Sequence, residues 1–339
     1  MPVSSEPPKG GLDQAMTSVD SFTLRVPSSA NVATTSTAAL RLTKTPPEII
    51  TNPTVVVTVP LGRSVSAYRN PATFCRANPF VASWSDASFS SAAASLTEYR
   101  STVVHRTHEL TWNKHLPNAQ GAVSKEPYQS LPNAVPCGGN LYSDGDGKLV
   151  CHLETLKTKP ECIIYSLGSD GNVDFEYNML KETLCDIFIF DCTLNEEKTQ
   201  TVHNAVAKHQ RLHFYPICLG GDDDVKSAYR SLASLMKEYG HTFIDLLKMD
   251  IEGYEFRVVE ALFSGWLKGD AALPSQISME QHYLTQPGLA WGGHVPGLSA
   301  GDMAILWINL AEMGYVIVAA EPQSACSYCI EISAVRAFC

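Results

Sequence analysis

Phe243-Ile-Asp-Leu-Leu-Lys-Met-Asp250-Ile-Glu252-Gly253-Tyr-Glu255 is the stretch on which the fold reading turns. Phe243–Met249 is a short apolar run of strand length, and it stops at Asp250. Tyr254–Trp266 behind it sets Phe256, Val258, Val259 and Leu262 on one side, as a helix would. Working outward, the same alternation recurs. Strands are predicted at Cys162–Leu167, Asp186–Phe190, Leu212–Leu219 and Ser275–Gln281. Helices are predicted over Val173–Leu184, Glu196–His209, Lys226–Tyr239 and Met303–Met313. Strand–helix alternation implies a parallel sheet covered on both faces. Two late strands, Tyr315–Ala320 and Glu331–Ala337, have too short a loop between them for a helical crossover, so they should pair antiparallel.

In such a sheet, ligands bind beyond the carboxyl ends of the strands. Gly168-Ser-Asp-Gly171 follows the first strand, and its glycines let the backbone approach a ligand. A tight strand-to-helix turn explains the same residues equally well, and the dinucleotide pattern G-x-G-x-x-G is absent. Asp191 ends the second strand, where a carboxylate can accept both ribose hydroxyls of an adenosine. Asp250 ends the fourth strand and is the best placed of three acids to face a pocket; Glu252 and Glu255 fit either helix capping or cation binding. On the fifth strand, alternation sets Ile277 and Met279 on one face and Glu280 and His282 on the other. A histidine paired with a carboxylate can serve as general base toward a hydroxyl, although a lone histidine is more often structural.

Taken together, Ile164-Tyr-Ser-Leu-Gly168-Ser-Asp-Gly171 with Phe175-Glu176, Phe190-Asp191, Leu247-Lys-Met-Asp250-Ile-Glu-Gly253 and Gln276-Ile-Ser-Met-Glu280-Gln-His282 resemble the FkbM-type S-adenosylmethionine-dependent methyltransferases and related eukaryotic methyltransferase-domain proteins. Gly314-Tyr-Val, Glu321-Pro and Glu331-Ile-Ser continue the match, which runs in order over about residues 144–337. The resemblance implies a Rossmann-like class I methyltransferase fold: α/β, a seven-stranded mostly parallel sheet with an antiparallel last strand and helices on both faces. It implies S-adenosyl-L-methionine as cofactor, held by Gly168, Asp170, Gly171, Glu176 and Asp191. Asp250, Glu280 and His282 form the catalytic set, and no metal ligands are assigned. The usual acid of the glycine loop is missing, with Tyr165 and Ser166 in its place; Glu176 is the residue that would compensate. The resemblance also implies that Cys151 and Cys162 lie close together. The implied reaction is O-methylation of a hydroxyl on a small molecule or glycan. The rivals are a non-catalytic binding module that keeps the fold and a nicotinamide-dependent oxidoreductase.

The rest of the chain sets the frame. Residues 1–53 are rich in Ser, Thr, Ala and Pro, which predicts disorder. Residues 54–143 read as an irregular extension with an edge strand at Thr54–Val59 and a helix over 88–105, and 144–339 as the methyltransferase domain. A Gly-rich aromatic loop at Thr285–Gly301, with Trp291, Gly292, Gly293 and His294, is a candidate lid, although a plain exposed loop is the more common reading of such a stretch. A formal net charge of −10 disfavours nucleic acid as a partner, since phosphate binding needs clustered Lys and Arg. No run of roughly 18 apolar residues is present, so no membrane-spanning segment is predicted. Met1–Gly11 is polar, without an apolar signal core; the compartment stays open between cytoplasm and a secretory pathway reached through a missing N-terminal anchor. Six of the ten cysteines lie in or beside apolar runs and read as small hydrophobes. Cys326-Ser-Tyr-Cys329 lacks a second ligand pair, which favours structural thiols or a disulfide over zinc.

Overall fold

A computed structural model describes residues 74–112, 131–144, 147–224, 229–282, 300–323 and 329–339. The expected disorder of 1–53, the edge strand at 54–59 and most of the candidate lid lie outside the described residues. The elements are α1 (Asp86–Trp112), β1 (Leu141–Ser143), β2 (Leu149–Cys151), β3 (Ile163–Leu167), α2 (Asp174–Glu182), β4 (Asp186–Phe190), α3 (Glu196–Val206), β5 (Leu212–Tyr215), β6 (Cys218–Leu219), β7 (Tyr229–Arg230), α4 (Leu232–Tyr239), β8 (Leu246–Met249), α5 (Glu255–Lys268), β9 (Gln276–His282), α6 (Ala300–Glu312), β10 (Tyr315–Pro322) and β11 (Cys329–Arg336). Among the described residues, no helix is long and apolar enough to cross a membrane.

Seven strands form the main sheet in the order β10-β11-β9-β8-β3-β4-β5. β3, β4, β5, β8 and β9 are parallel, and β11 runs antiparallel to both β9 and β10. This is the class I methyltransferase arrangement. Strand alternation divides the core. Ile164, Ile187 and Ile189 face α2 and α3, whose Phe175, Met179 and Val202 complete that layer. Tyr165, Phe188, Phe190 and Met249 face the other way, onto Leu235, Val259 and Trp307 of α4, α5 and α6. Residues from Phe80 to Leu96 pack into the first layer as well.

Local chemistry sets the element ends. Asn195 and Ser231 cap α3 and α4 by accepting the amides of Lys198 and Ser234. The predicted strand Leu212–Leu219 is broken in two at Pro216, which has no N–H to give to the ladder. Its second half, β6, pairs instead with β7.

Cysteines depart from the reading as free thiols. Disulfides join Cys75–Cys339, Cys137–Cys151, Cys162–Cys185 and Cys192–Cys218, and Cys329 is disulfide-bonded too. Cys151 and Cys162 are therefore not partners. Each lies in or beside a strand that brings a different sulfur within reach.

Candidate functional site

The chain reverses its order across the sheet between β3 and β8, so a crevice is expected beyond their carboxyl ends. Gly168 leaves β3 with φ +78, and a Cβ there would overlap the Asp250 carbonyl oxygen beyond β8. Only glycine lets the two tips close in this way. Lys248, buried on β8, donates its ammonium to the Gly168 carbonyl. Asp191 ties the second tip to the first. Its Oδ2 accepts the Ser169 amide (2.8 Å), the Ser169 hydroxyl (3.1 Å) and the Asp170 amide (3.0 Å). Its Oδ1 accepts the Thr193 amide (2.9 Å) and hydroxyl (2.7 Å). Burial would raise the Asp191 pKa, but these donors outweigh it and hold the carboxyl below its usual range.

Glu176 reaches from α2 to the Ser166 hydroxyl, so a carboxylate stands beside the residue that replaces the usual loop acid. Burial pushes its pKa up against the pull of Lys248 and Ser166, and its buried Oε2 has no hydrogen-bond partner among the described residues. Asp170 is exposed, adopts φ 46 and pairs with Lys198, while Gly171 packs under the Lys198 stem. Glu252 shares this left-handed backbone with φ 56, as do His152 and Glu161 away from the strand tips.

Beyond β8 and β9 lies a dense charge cluster. Lys148, buried at the start of β2, contacts Glu331 (2.5 Å), Glu280 (3.0 Å) and Asp250 (3.2 Å). His282 sets Nδ1 3.2 Å from Glu255 and Nε2 3.5 Å from Glu252 and 3.8 Å from Glu280. Burial would lower the His282 pKa, but Glu255, Glu252 and Asp250 push it up to about 10. An imidazole in its protonated form donates rather than accepts, and both ring nitrogens of His282 face carboxylates, Glu255 on one side and Glu252 and Glu280 on the other. Glu252 flanks the imidazole on its more open side. Burial raises its pKa against the pull of His282, and its side chain, 38% exposed, is the most open of the carboxylates around His282. The Asp250 carboxyl is held low: burial opposes this, and Lys248, Lys148 and His282 prevail. Asp250, Glu252 and His282 offer donor atoms within 4.8 Å of one another, and Lys148 stands 3.2 Å from the Asp250 carboxylate.

The structure thus brings Gly168, Asp170, Gly171, Glu176 and Asp191 to one loop system and Asp250, Glu280 and His282 to an adjoining cluster. Lys148, Lys248, Glu255 and Glu331 belong to the same neighbourhood; Lys248 and Glu255 lie in the β8 segment and Glu331 in a segment of the resemblance, while Lys148 carried no signal as a site residue. A separate cavity of about 690 Å³ opens between β6–β7, α4 and α5, lined by Gly220, Tyr229, Tyr254 and Arg257, and none of the three strand tips lines it.

Curated relatives include the probable methyltransferase-like protein 24 of Rattus norvegicus, 28% identical over 164 residues, or 46% of this chain and 40% of that protein. The Homo sapiens protein of the same name is 26% identical over 159 residues, covering 44% and 39%. The matched region thus spans about two fifths of these relatives. Among solved structures, methyltransferase FkbM from Methylobacillus flagellatus KT matches 51% of this chain and 43% of its own with 13% identity and a TM-score of 0.34. Aeropyrum pernix fibrillarin, solved with natively bound S-adenosyl-L-methionine, matches 53% and 68% with 12% identity and a TM-score of 0.32. Residues 100–336 match the family described as Methyltransferase domain, and that span is well over half of the chain. This chain belongs to the Methyltransferase domain family.

Proposed function

We propose that the chain is an S-adenosylmethionine-dependent methyltransferase acting on a hydroxyl of a small molecule or glycan. The observation that carries this reading is the convergence of three strand tips at the switch point: Gly168 against the Asp250 carbonyl, and the Ser169 and Asp170 amides on Asp191. The donor set fits the cofactor. Glu176 holds a buried, unmet carboxylate oxygen, and Asp250 keeps an ionised carboxylate; both suit a ligand bearing cationic sulfur and ammonium groups. Gly168, Asp170, Gly171 and Glu176 would hold it, and Asp191 would receive the ribose hydroxyls by exchanging its Thr193 or Ser169 hydroxyl partner. Bound there, S-adenosylmethionine supplies an electrophilic methyl group.

The chain's own residues would do the rest. Asp250 and Glu280 orient an acceptor hydroxyl, and Glu252 takes its proton as the oxygen–methyl bond forms. His282, clamped by Glu255, keeps the Glu252 carboxylate aimed.

One observation favours a second reading. Asp191 already accepts five hydrogen bonds from the protein, which fills a carboxylate with about four lone-pair sites. A domain that keeps the fold as a binding module would look like this. Labelled S-adenosylmethionine and a panel of hydroxylated small molecules and glycans separate the two. The enzyme reading expects labelled product with the wild type and at least a hundredfold less with Glu252→Gln. Cofactor binding with no transfer to any acceptor supports the module instead.

A further inference from the structure

Two of the disulfides sit at opposite ends of the central strands. Cys162–Cys185 is buried and joins the segments that enter β3 and β4, at the amino end of the sheet. Cys192–Cys218 is half-buried and lies at the carboxyl end. Cys192 directly follows Asp191, and its Cα is 4.9 Å from that of Cys218 at the start of β6. The bridge therefore stands between Asp191 and Thr193, the residue whose amide and hydroxyl fill the Asp191 Oδ1. The Asp191 amide is also bonded across to the Tyr215 carbonyl at the end of β5 (3.2 Å), so one hydrogen bond and one covalent link secure the same corner.

A carboxylate that organises a loop through five donors depends on the backbone that presents them, and the turn after Asp191 contains no regular element until α3. We propose that the Cys192–Cys218 disulfide is a positioning device for the cofactor loop, holding Asp191 and Thr193 in the one arrangement that orders Ser169 and Asp170. Its link to ligand affinity rests on the cofactor reading above; its effect on the loop does not. Cys162–Cys185, at the opposite end of the neighbouring strands, is the internal control, because it constrains the chain without touching Asp191.

The test compares the double variants Cys192→Ser/Cys218→Ser and Cys162→Ser/Cys185→Ser in the full chain, by calorimetry with S-adenosylhomocysteine and by amide hydrogen exchange. Opening the carboxyl-end bridge is expected to weaken S-adenosylhomocysteine at least tenfold and to speed exchange at the Ser169, Asp170 and Thr193 amides. Opening the amino-end bridge should lower the melting temperature, with affinity within about twofold of wild type and those three amides unchanged. Unchanged exchange at the three amides in the first variant, or equal acceleration in both, overturns the proposal. Accelerated exchange in the first variant, together with a wild type that binds no S-adenosylhomocysteine, would leave the positioning role standing and remove the cofactor reading.

Discussion

At the amino end of the central strands, buried polar groups meet their partners, whereas at the carboxyl end carboxylates outnumber them. Asp245, just before β8, accepts the Ile163 amide (3.0 Å) and pairs with Lys159, and the Cys162–Cys185 bridge closes the same end. Beyond the opposite ends, Glu176, Glu255 and Glu331 each keep a buried Oε2 with no hydrogen-bond partner among the described residues. Unmet buried acceptors are rare in folded proteins because each costs a desolvation penalty. Their gathering at one end of one sheet is what the proposed cofactor site would explain.

The largest effect that would sharpen this contrast is at Gly168. Gly168→Ala drives a methyl into the Asp250 carbonyl and should cost more than about 3 kcal/mol or prevent folding, read by denaturant melts. Gly240→Ala, with φ +72 and open space around its Cβ, should cost only about 1–2 kcal/mol. Lys148→Met leaves Glu331, Glu280 and Asp250 without their shared cation and is expected to cost about 3 kcal/mol. Lys159→Met at the other end should cost about half as much, since Asp245 keeps the Ile163 amide.

The pH response is smaller and has a definite sign. His282 has its pKa raised from 6.5 to about 10, so its contribution is complete below pH 6.5 and is lost as pH rises through about 10. Across that window, melts should show wild type losing at least about 1 kcal/mol, the worth of one pKa unit, relative to His282→Gln. A constant difference between the two would mean that the imidazole is already neutral. Smallest of all, Asp170→Asn breaks an exposed pair with Lys198 and should move stability by less than about 0.5 kcal/mol. A several-fold loss of S-adenosylhomocysteine affinity in that variant would assign Asp170 to the cofactor loop.

Much of this was readable from local pattern. Buried strands such as Asp186–Phe190 and Ile163–Leu167 announce themselves as apolar runs, and the short connection between the last two strands makes their antiparallel pairing a matter of geometry. Glu176 drew notice because the loop visibly lacked an acid, and the fold sets it against the Ser166 hydroxyl. The charge cluster was only half legible. Asp250, Glu280 and His282 stand at strand tips, but Lys148 meets Glu280 across 132 residues and Glu331 across 183, and no local spacing predicts such pairs. The protonation of His282 is set by Glu255, which lies on a different element. Disulfide partners are equally non-local, as Cys75–Cys339 across 264 residues makes plain. The break at Pro216 was visible in the chain and was outweighed by the apolar residues on both sides of it.

On the proposed reading, the carboxyl ends of β3, β4 and β8 form a cradle for S-adenosylmethionine. Calorimetric titration of S-adenosylhomocysteine into wild type and Glu176→Gln, with folding followed by circular dichroism, tests it most directly. Saturable one-site binding is expected of the wild type, and at least tenfold weaker binding of an equally folded variant. No binding heat from folded wild type, or the same affinity in both proteins, would contradict it.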